Sequence, residues 1–313
     1  MLGRGRLAAI LLVAFAFTAS ACARSPGQGS AQPPSSSSLP STPTPTDQEH
    51  LQARALLDRW AAAVAAAGGP PSFSVEPGYE SSFVGDWETA ELGSNAKVAL
   101  YAGAFVAGAQ LSDATPPPGE VRWADGVTRS LPLMSAGEAL GALKSDGKAQ
   151  CGDCRPLTVT GATLSAADVT TSRGHASVPV WEFAIDGTSV RVARVAVSPS
   201  ATATLPPTEG AGMRIESATG MRAGRQLTVT VIGSPGPASQ PCGADYDGEA
   251  IESDLGVVVI VRERRYVPDP NASPIACAAV GAFRKVTVQL AEPIGDRAVL
   301  DPQEGVPVAV TLG

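Results

Sequence analysis

The sequence predicts an α+β protein in which an N-terminal, helix-containing region precedes a mainly antiparallel, β-sandwich-like region. Three observations carry this expectation. A helical pattern runs from Asp47 to Ala67, with Leu56, Leu57, Trp60 and Val64 recurring at helical spacing. From Pro156 onward apolar residues alternate with a period of two, as in Leu227-Val229-Val231 and Val286-Val288-Leu290. Gly- and Pro-rich loops separate these runs, which suits short strands packed as two sheets.

The chain opens with Arg4 and Arg6, an apolar run from Leu7 to Phe17, and the small residues Thr18, Ala19, Ser20 and Ala21. These are the three parts of a secretory signal peptide, expected over residues 1–21. The apolar run is far shorter than the roughly 20 residues that a membrane-spanning helix needs, so removal is expected rather than a span. The tetrad Ala19-Ser20-Ala21-Cys22 resembles the lipobox of bacterial lipoproteins, with Ala19 where Leu is the usual occupant. That resemblance implies a diacylglyceryl group on the Cys22 thiol, acyl chains such as palmitate, and attachment to the outer face of the plasma membrane. Ordinary cleavage near Ala21, with Cys22 unmodified, is the alternative. Loss of the two arginines takes the formal net charge from −7 to −9. An acidic chain of this kind gains nothing electrostatically from nucleic acid, which is excluded as a partner.

From Ala23 to Thr46 the chain is almost wholly Ser, Pro, Thr, Gly, Gln and Ala, with Ser35 to Ser38 in a row. Such a segment buries too little apolar surface to offset the entropy of ordering. With Cys22 it forms an expected tether over residues 22–46, spanning about 27 Å as a coil and about 74 Å as polyproline II.

Thr46 and Glu49 have capping-box spacing ahead of the first helix, and Gly68-Gly69-Pro70-Pro71 stops it. Lys97 to Ala107 reads as a strand, Val121 to Trp123 as a short strand, and Ser135 with Glu138 as the start of a helix reaching about Lys144. Residues 47–150 are accordingly expected as a small α+β region, and 151–313 as the mainly β domain. In the latter, Leu157, Val159, Trp181, Phe183 and Ile185 alternate, and Asp186-Gly187 suits a two-residue type I′ hairpin turn. Val190 and Val192 are out of phase with Val195 and Val197, which suggests a bulge near Ala193. The unbroken apolar run Leu255 to Val261 is expected as a central strand covered on both faces. Segments at Leu157 and Leu227 share a Leu-Thr-Val-Thr opening.

Beyond Cys22 stand four cysteines, Cys151, Cys154, Cys242 and Cys277. An even set in an exported protein reads as disulfides. Three pairings are open, and Cys151 with Cys154 plus Cys242 with Cys277 is favoured. Cys151-Gly152-Asp153-Cys154 also has the spacing of a thioredoxin-type redox site. That chemistry places the first Cys at a helix N-terminus, whereas Arg155-Pro156 and a strand pattern follow here. A four-thiolate zinc site is the remaining alternative.

Other groupings are weaker. Only His50 and His175 are present, and no Gly-x-Ser-x-Gly elbow accompanies the nearby Ser172. Asp245, Asp247 and Glu249, continued by Glu252 and Asp254, gather carboxylates of the kind that calcium favours, without the EF-hand spacing. Glu249 and Glu252 also invite comparison with a glycosidase acid pair. Trp60, Trp87, Trp123 and Trp181 read as core residues. No phosphate-binding loop or cofactor fingerprint occurs in the chain, and no cofactor is expected.

Arginine far outnumbers lysine, and Ala, Gly and Pro are abundant. With Cys-x-x-Cys-x-Pro-Leu at Cys151 to Leu157, Thr-Ser-Arg-Gly at Thr171 to Gly174, Val-Pro-Val-Trp-Glu-Phe at Val178 to Phe183 and Gly-Asp-Arg-Ala-Val-Leu-Asp at Gly295 to Asp301, the chain resembles uncharacterised actinobacterial exported lipoproteins. The resemblance implies an envelope location and transfers no catalytic residue. The leading expectation is a non-enzymatic binding or scaffolding role outside the membrane, with a partner in the envelope. The alternatives are an extracytoplasmic enzyme or thiol-disulfide protein working through Cys151 and Cys154, and a calcium-dependent binding module.

Overall fold

The structure is a computed structural model that describes residues 45–70, 73–75, 81–85, 93–147, 150–271, 273 and 275–313. The expected signal peptide, Cys22, nearly all of the tether and Trp87 lie outside the described residues. Residues 43–313 form one compact unit. Its described part is a small set of helices on mostly antiparallel sheets, and none of these helices is long and apolar enough to cross a membrane.

The first helix, α1 (Pro45–Ala66), buries Ala53, Leu56, Leu57, Trp60 and Val64 on one face, as the spacing predicts. Its end is a Schellman turn. The Gly69 N–H bonds the Val64 carbonyl at 2.9 Å and the Gly68 N–H bonds that of Ala65 at 3.1 Å. This closure requires a left-handed residue, and Gly68 supplies it with φ of 87°. The carboxylate of Glu49 accepts from Arg262 at 2.9 Å, so its bond is tertiary.

A seven-stranded sheet is built around the long hairpin of β5 (Leu157–Thr171) and β6 (Gly174–Ile185). One edge of β6 pairs along its length with β5. Its other edge is shared: β3 (Gly119–Trp123) pairs at Ala176 and Ser177, and β7 (Arg191–Val195) pairs from Val180 to Ala184. β4 (Thr128–Leu131) extends the sheet beyond β3, β1 (Ser81–Val84) beyond β7, and the short β2 (Phe105–Ala107) runs parallel to β5. Two cores cover opposite faces. Val121, Trp123, Leu131, Ala176, Val178, Val180 and Ala193 belong to the first. The second gathers Phe183, Ile185, Val190 and Val192 under α2 (Gly93–Tyr101) and α3 (Ala136–Ser145).

Burial on both faces explains the phase change in β7. Val192 enters one core while Ala193 and Val195 enter the other, and the ladder with β6 runs without a bulge through Ala193. The register shifts fall instead at Val159/Gly161 and Ile215/Ser217. Asp186-Gly187 does lie between two antiparallel strands, but Ala184 pairs with Arg191, so the loop is longer than two residues. Lys97 to Tyr101 is helical rather than extended. Ala96 and Ala99 lie one turn apart against the core at 0 % exposure, and Gly103 (φ 62°) turns the chain into β2. At Ser135 the capping box forms in full, with the hydroxyl accepting from the Glu138 N–H and the Glu138 carboxylate accepting from the Ser135 N–H.

The rest of the chain makes two further sheets. One contains β10 (Ala244–Glu252), β11 (Gly256–Arg265) and β13 (Ala298–Leu300); the other contains β12 (Ala282–Gln289), β9 (Gln226–Gly233), β8 (Ile215–Gly220) and β14 (Val310–Leu312). Val257, Val259 and Val261 of β11 share a core with Leu227, Val229, Val231, Val286 and Val288 of the other sheet. The alternate residues Val258 and Ile260 pack under α1 with Trp60 and Leu57. β11 is thus covered on both faces, as its unbroken apolar run requires.

The expected boundary at 150/151 does not separate folded parts. Leu157 to Val159 pair with Phe105 to Ala107, while α1 packs on β11, some 200 residues further along. The Leu-Thr-Val-Thr segments at Leu157 and Leu227 lie in different sheets.

Candidate functional site

Two connections cross between the paired sheets at one end: residues 234–243 join β9 to β10, and residues 266–281 join β11 to β12. The Cys242–Cys277 disulfide ties them together. Between them and the ends of β10 and β11 lies a cleft of about 770 Å³, walled by Tyr266, Pro268, Ile275, Ala279, Glu263 and Arg265 among others. Its volume is that of a small-molecule site. Cys242 has φ of 63° and is the single non-glycine left-handed residue among those described. Such a conformation costs about 1–3 kcal/mol and concentrates at functional sites. The neighbouring turn is tight, because a Cβ on Gly243 would meet the Pro237 carbonyl oxygen at 1.9 Å.

Hydrogen bonds and ion pairs through Tyr246, behind the lining, tie the cleft residues Ser234, Glu263 and Arg265 together. Tyr246 Oη accepts from the Ser234 N–H at 2.6 Å and donates to Glu263 at 3.1 Å, and Glu263 also pairs with Arg265 at 2.6 Å. Arg284 stacks over the Tyr246 ring at 5.2 Å and donates to the carbonyls of Ser234 and Pro235. A smaller cleft of about 220 Å³ lies between α1 and residues 208–211, but the Arg59 guanidinium at its rim is already held by Thr208 Oγ1 and the Pro206 carbonyl.

At the opposite end a cluster of four charges joins the hairpin sheet to the paired sheets. Arg173, at the tip of the β5–β6 hairpin, is 2 % exposed and lies 3.0 Å from Asp125 and 2.9 Å from Asp296. Its guanidinium stacks 4.6 Å from the Trp123 ring centre. Arg222 pairs with both acids and donates to the carbonyls of Gly295 and Arg173. Burial pushes the Asp125 carboxyl up, but the Val127 N–H and the two arginines outweigh it and leave the pKa below the usual carboxylate range. Every partner in this cluster is internal, so it is a fastening between layers.

The cysteines pair as favoured, Cys151 with Cys154 and Cys242 with Cys277. Cys151 and Cys154 sit in a turn closed by the bond from the Cys154 N–H to the Cys151 carbonyl at 2.8 Å, ahead of β5. A strand follows them, and the helix N-terminus of a thioredoxin-type site is not at this position.

The acidic candidates all lie on β10 or just beyond it, and among the described residues each carboxylate that the sequence singles out there has a partner except Asp254. Asp245 accepts from the Ala238 N–H, Asp247 pairs with Arg264 at 2.7 Å, and Glu249 pairs with Arg262 and His50 at 2.9 and 3.0 Å. The hydrogen bond from His50, with Arg262 behind it, lowers the Glu249 pKa against burial. Glu252 points from the opposite face of β10 and is held by Arg297 and the Ala291 N–H, so it does not converge with Glu249. Among the described residues no group of three or more His, Cys, Asp and Glu is placed to hold a metal ion.

Ser172 Oγ accepts from the Ser74 N–H at 2.9 Å and is buried, while His175 Nδ1 meets Thr170 Oγ1 at 3.2 Å. The two do not face each other. Trp60 and Trp123 are core residues, and Trp181 is half-buried with its indole N–H donating to the Met134 carbonyl.

The cleft escaped the reading of the sequence because its walls come from four strand ends that only tertiary structure joins. A signal was present nonetheless, in the long connection 266–281 that carries a half-cystine together with Val267, Ile275 and Val280 and forms no strand among its described residues. No known family model, curated protein or solved structure matches the chain.

Proposed function

We propose that the protein is an exported lipoprotein, anchored by acyl chains on Cys22 at the outer face of the plasma membrane, with a non-enzymatic binding role in the cell envelope. The paired C-terminal sheets, whose facing valines share one core, are read as a β-sandwich with α1 laid over one face. The observation that carries the binding role is the 770 Å³ cleft closed by the Cys242–Cys277 staple, with the left-handed Cys242 in its wall. Its polar groups are tied to one another, as in the Tyr246–Glu263–Arg265 chain, which suits a preformed binding surface.

The alternative thiol-disulfide reading has no helix dipole to activate Cys151. The calcium reading is opposed by the arginines already on Asp247 and Glu249.

Two measurements test the proposal. Membrane fractionation should find the wild type with the membrane and Cys22→Ala in the medium; retention of that variant in the membrane would refute the anchor. Native mass spectrometry of protein extracted from its envelope should show a bound species that Ala279→Trp, which fills the cleft, removes at unchanged melting temperature. An identical bound population in both would refute the cleft.

A further inference from the structure

Helix α1 begins at one identifiable end of the body. Trp60 Nε1 donates to the Leu255 carbonyl at the start of β11, whereas Glu49 pairs with Arg262 near its far end. The helix therefore runs antiparallel to β11. Pro45 lies about 6 Å beyond Glu49 at 1.5 Å per residue, level with the last residues of β11. There the cleft begins, at Glu263, Arg265 and Tyr266. The start of α1 thus lies at the disulfide end, while the Arg173 fastening and the hairpin sheet stand at the other.

That same end carries a concentration of exposed apolar side chains. Phe283 (74 % exposed) and Ile232 (51 %) are cross-strand partners on β12 and β9, at the edge of their sheet, and a Cβ on the adjoining Gly281 would touch Ile232. Val280 (62 %), Val267 (84 %) and Ile275 (46 %) come from the connection tied by Cys277. Scattered exposed apolar residues need no explanation, but a concentration at one end marks an interaction surface. The charges around it are largely balanced, with Asp247 on Arg264 and Glu263 on Arg265, so an anionic surface meets little local repulsion.

We infer that the disulfide end of the body rests on the lipid surface, with Phe283, Ile232, Val280, Val267 and Ile275 in the interfacial layer. The cleft then opens at the membrane, where an amphiphile is presented to it, and the hairpin sheet is held outward. The inference rests on the lipid anchor at Cys22. What specifies lipid as the occupant is that α1 begins at this end, only 23 positions after Cys22.

The test uses the full lipidated protein in vesicles of phosphatidylethanolamine and phosphatidylglycerol, with brominated acyl chains as quenchers. Phe283→Trp and Val267→Trp place an indole at the inferred contact, and Val127→Trp places one at the far end, each read as a difference from wild type. The first two indoles should lose about half their emission, as befits a side chain 5–10 Å into the headgroup boundary, and the third should lose none. Equal melting temperatures establish that the variants fold. Quenching at Val127→Trp alone, or at none of the three while the protein stays on the vesicles, overturns the inference and leaves the anchor standing. Shielding of Phe283→Trp in a self-associated species, without bromine quenching, assigns the patch to a second copy and also overturns it. Failure to stay on the vesicles refutes the anchor and the inference with it.

Discussion

Arg173 and Asp296, which are 123 positions apart in the chain, form an ion pair of 2.9 Å in which the arginine is almost fully buried. The pair joins the tip of the β5–β6 hairpin to the loop ahead of β13, and thus fastens the hairpin sheet to the paired sheets. Asp125 shares the guanidinium, and the Trp123 ring lies beneath it.

Removing one partner of a buried pair strands the other charge. Arg173→Ala should cost about 3–5 kcal/mol in chemical denaturation. Arg173→Lys should recover little, because an ammonium lacks the planar fork that meets two carboxylates and stacks on an indole.

The two disulfides should contribute unequally. The Cys242–Cys277 bridge spans 35 positions and the Cys151–Cys154 bridge only 3. Chain entropy then assigns about 3–4 kcal/mol to the first and about 2 kcal/mol to the second. Double Cys→Ser replacement of each pair, followed by thermal melting, checks the order. Mass measurement of the unreduced protein should find none of these four cysteines free to alkylate.

Asp301 sets a pH dependence. Burial pushes its carboxyl up to about 6, despite N–H donors from Gln303, Glu304 and Ile215. A folded pKa above the unfolded value means that ionisation opposes folding, so the cost is full above pH 6 and is relieved as pH falls toward 4. Stability should rise by about 1.3 kcal/mol between pH 7 and pH 5, out of a total of about 3 kcal/mol at 1.36 kcal/mol per unit that is complete only below pH 4. Asp125, Glu249 and Glu252 have lowered values, so their contribution is present above the unfolded carboxylate range and is lost at lower pH. Melting temperature against pH should therefore peak near pH 5, and Asp301→Asn should flatten the limb between 5 and 7.

Trp60 anchors α1 through its buried ring and its bond to the Leu255 carbonyl at 2.9 Å. Trp60→Ala should cost about 3–5 kcal/mol. Trp60→Phe keeps most of the packing and should lose about 1 kcal/mol for the hydrogen bond, as denaturant midpoints at constant slope will read.

Calcium should do nothing. Asp247 and Glu249 already face Arg264 and Arg262, and a cation would have to displace both. A rise in melting temperature on adding millimolar calcium, abolished by Asp247→Ala, would contradict this.

The sequence by itself determined the elements whose signals are local. The Ser135/Glu138 capping box, the Gly68 stop, the helical face of α1 and the two-sided apolar run of β11 each follow from neighbouring residues. Tertiary structure decided what depends on distant partners. Lys97 to Tyr101 became helix because Ala96 and Ala99 fit beneath it, and the phase change in β7 reflects two cores rather than a bulge. It also joined Thr171–Gly174 to Gly295–Asp301 through Arg173 and Asp296, two motifs that the chain displays far apart. The cleft belongs to the same class: Cys242 and Cys277 predict a staple, but only the packing of β10 and β11 against α1 brings the start of α1, the disulfide and Phe283 to one end. Local patterns fix local conformation because their energies arise within a few residues, whereas a surface made by four strand ends exists only once the chain has closed around its core.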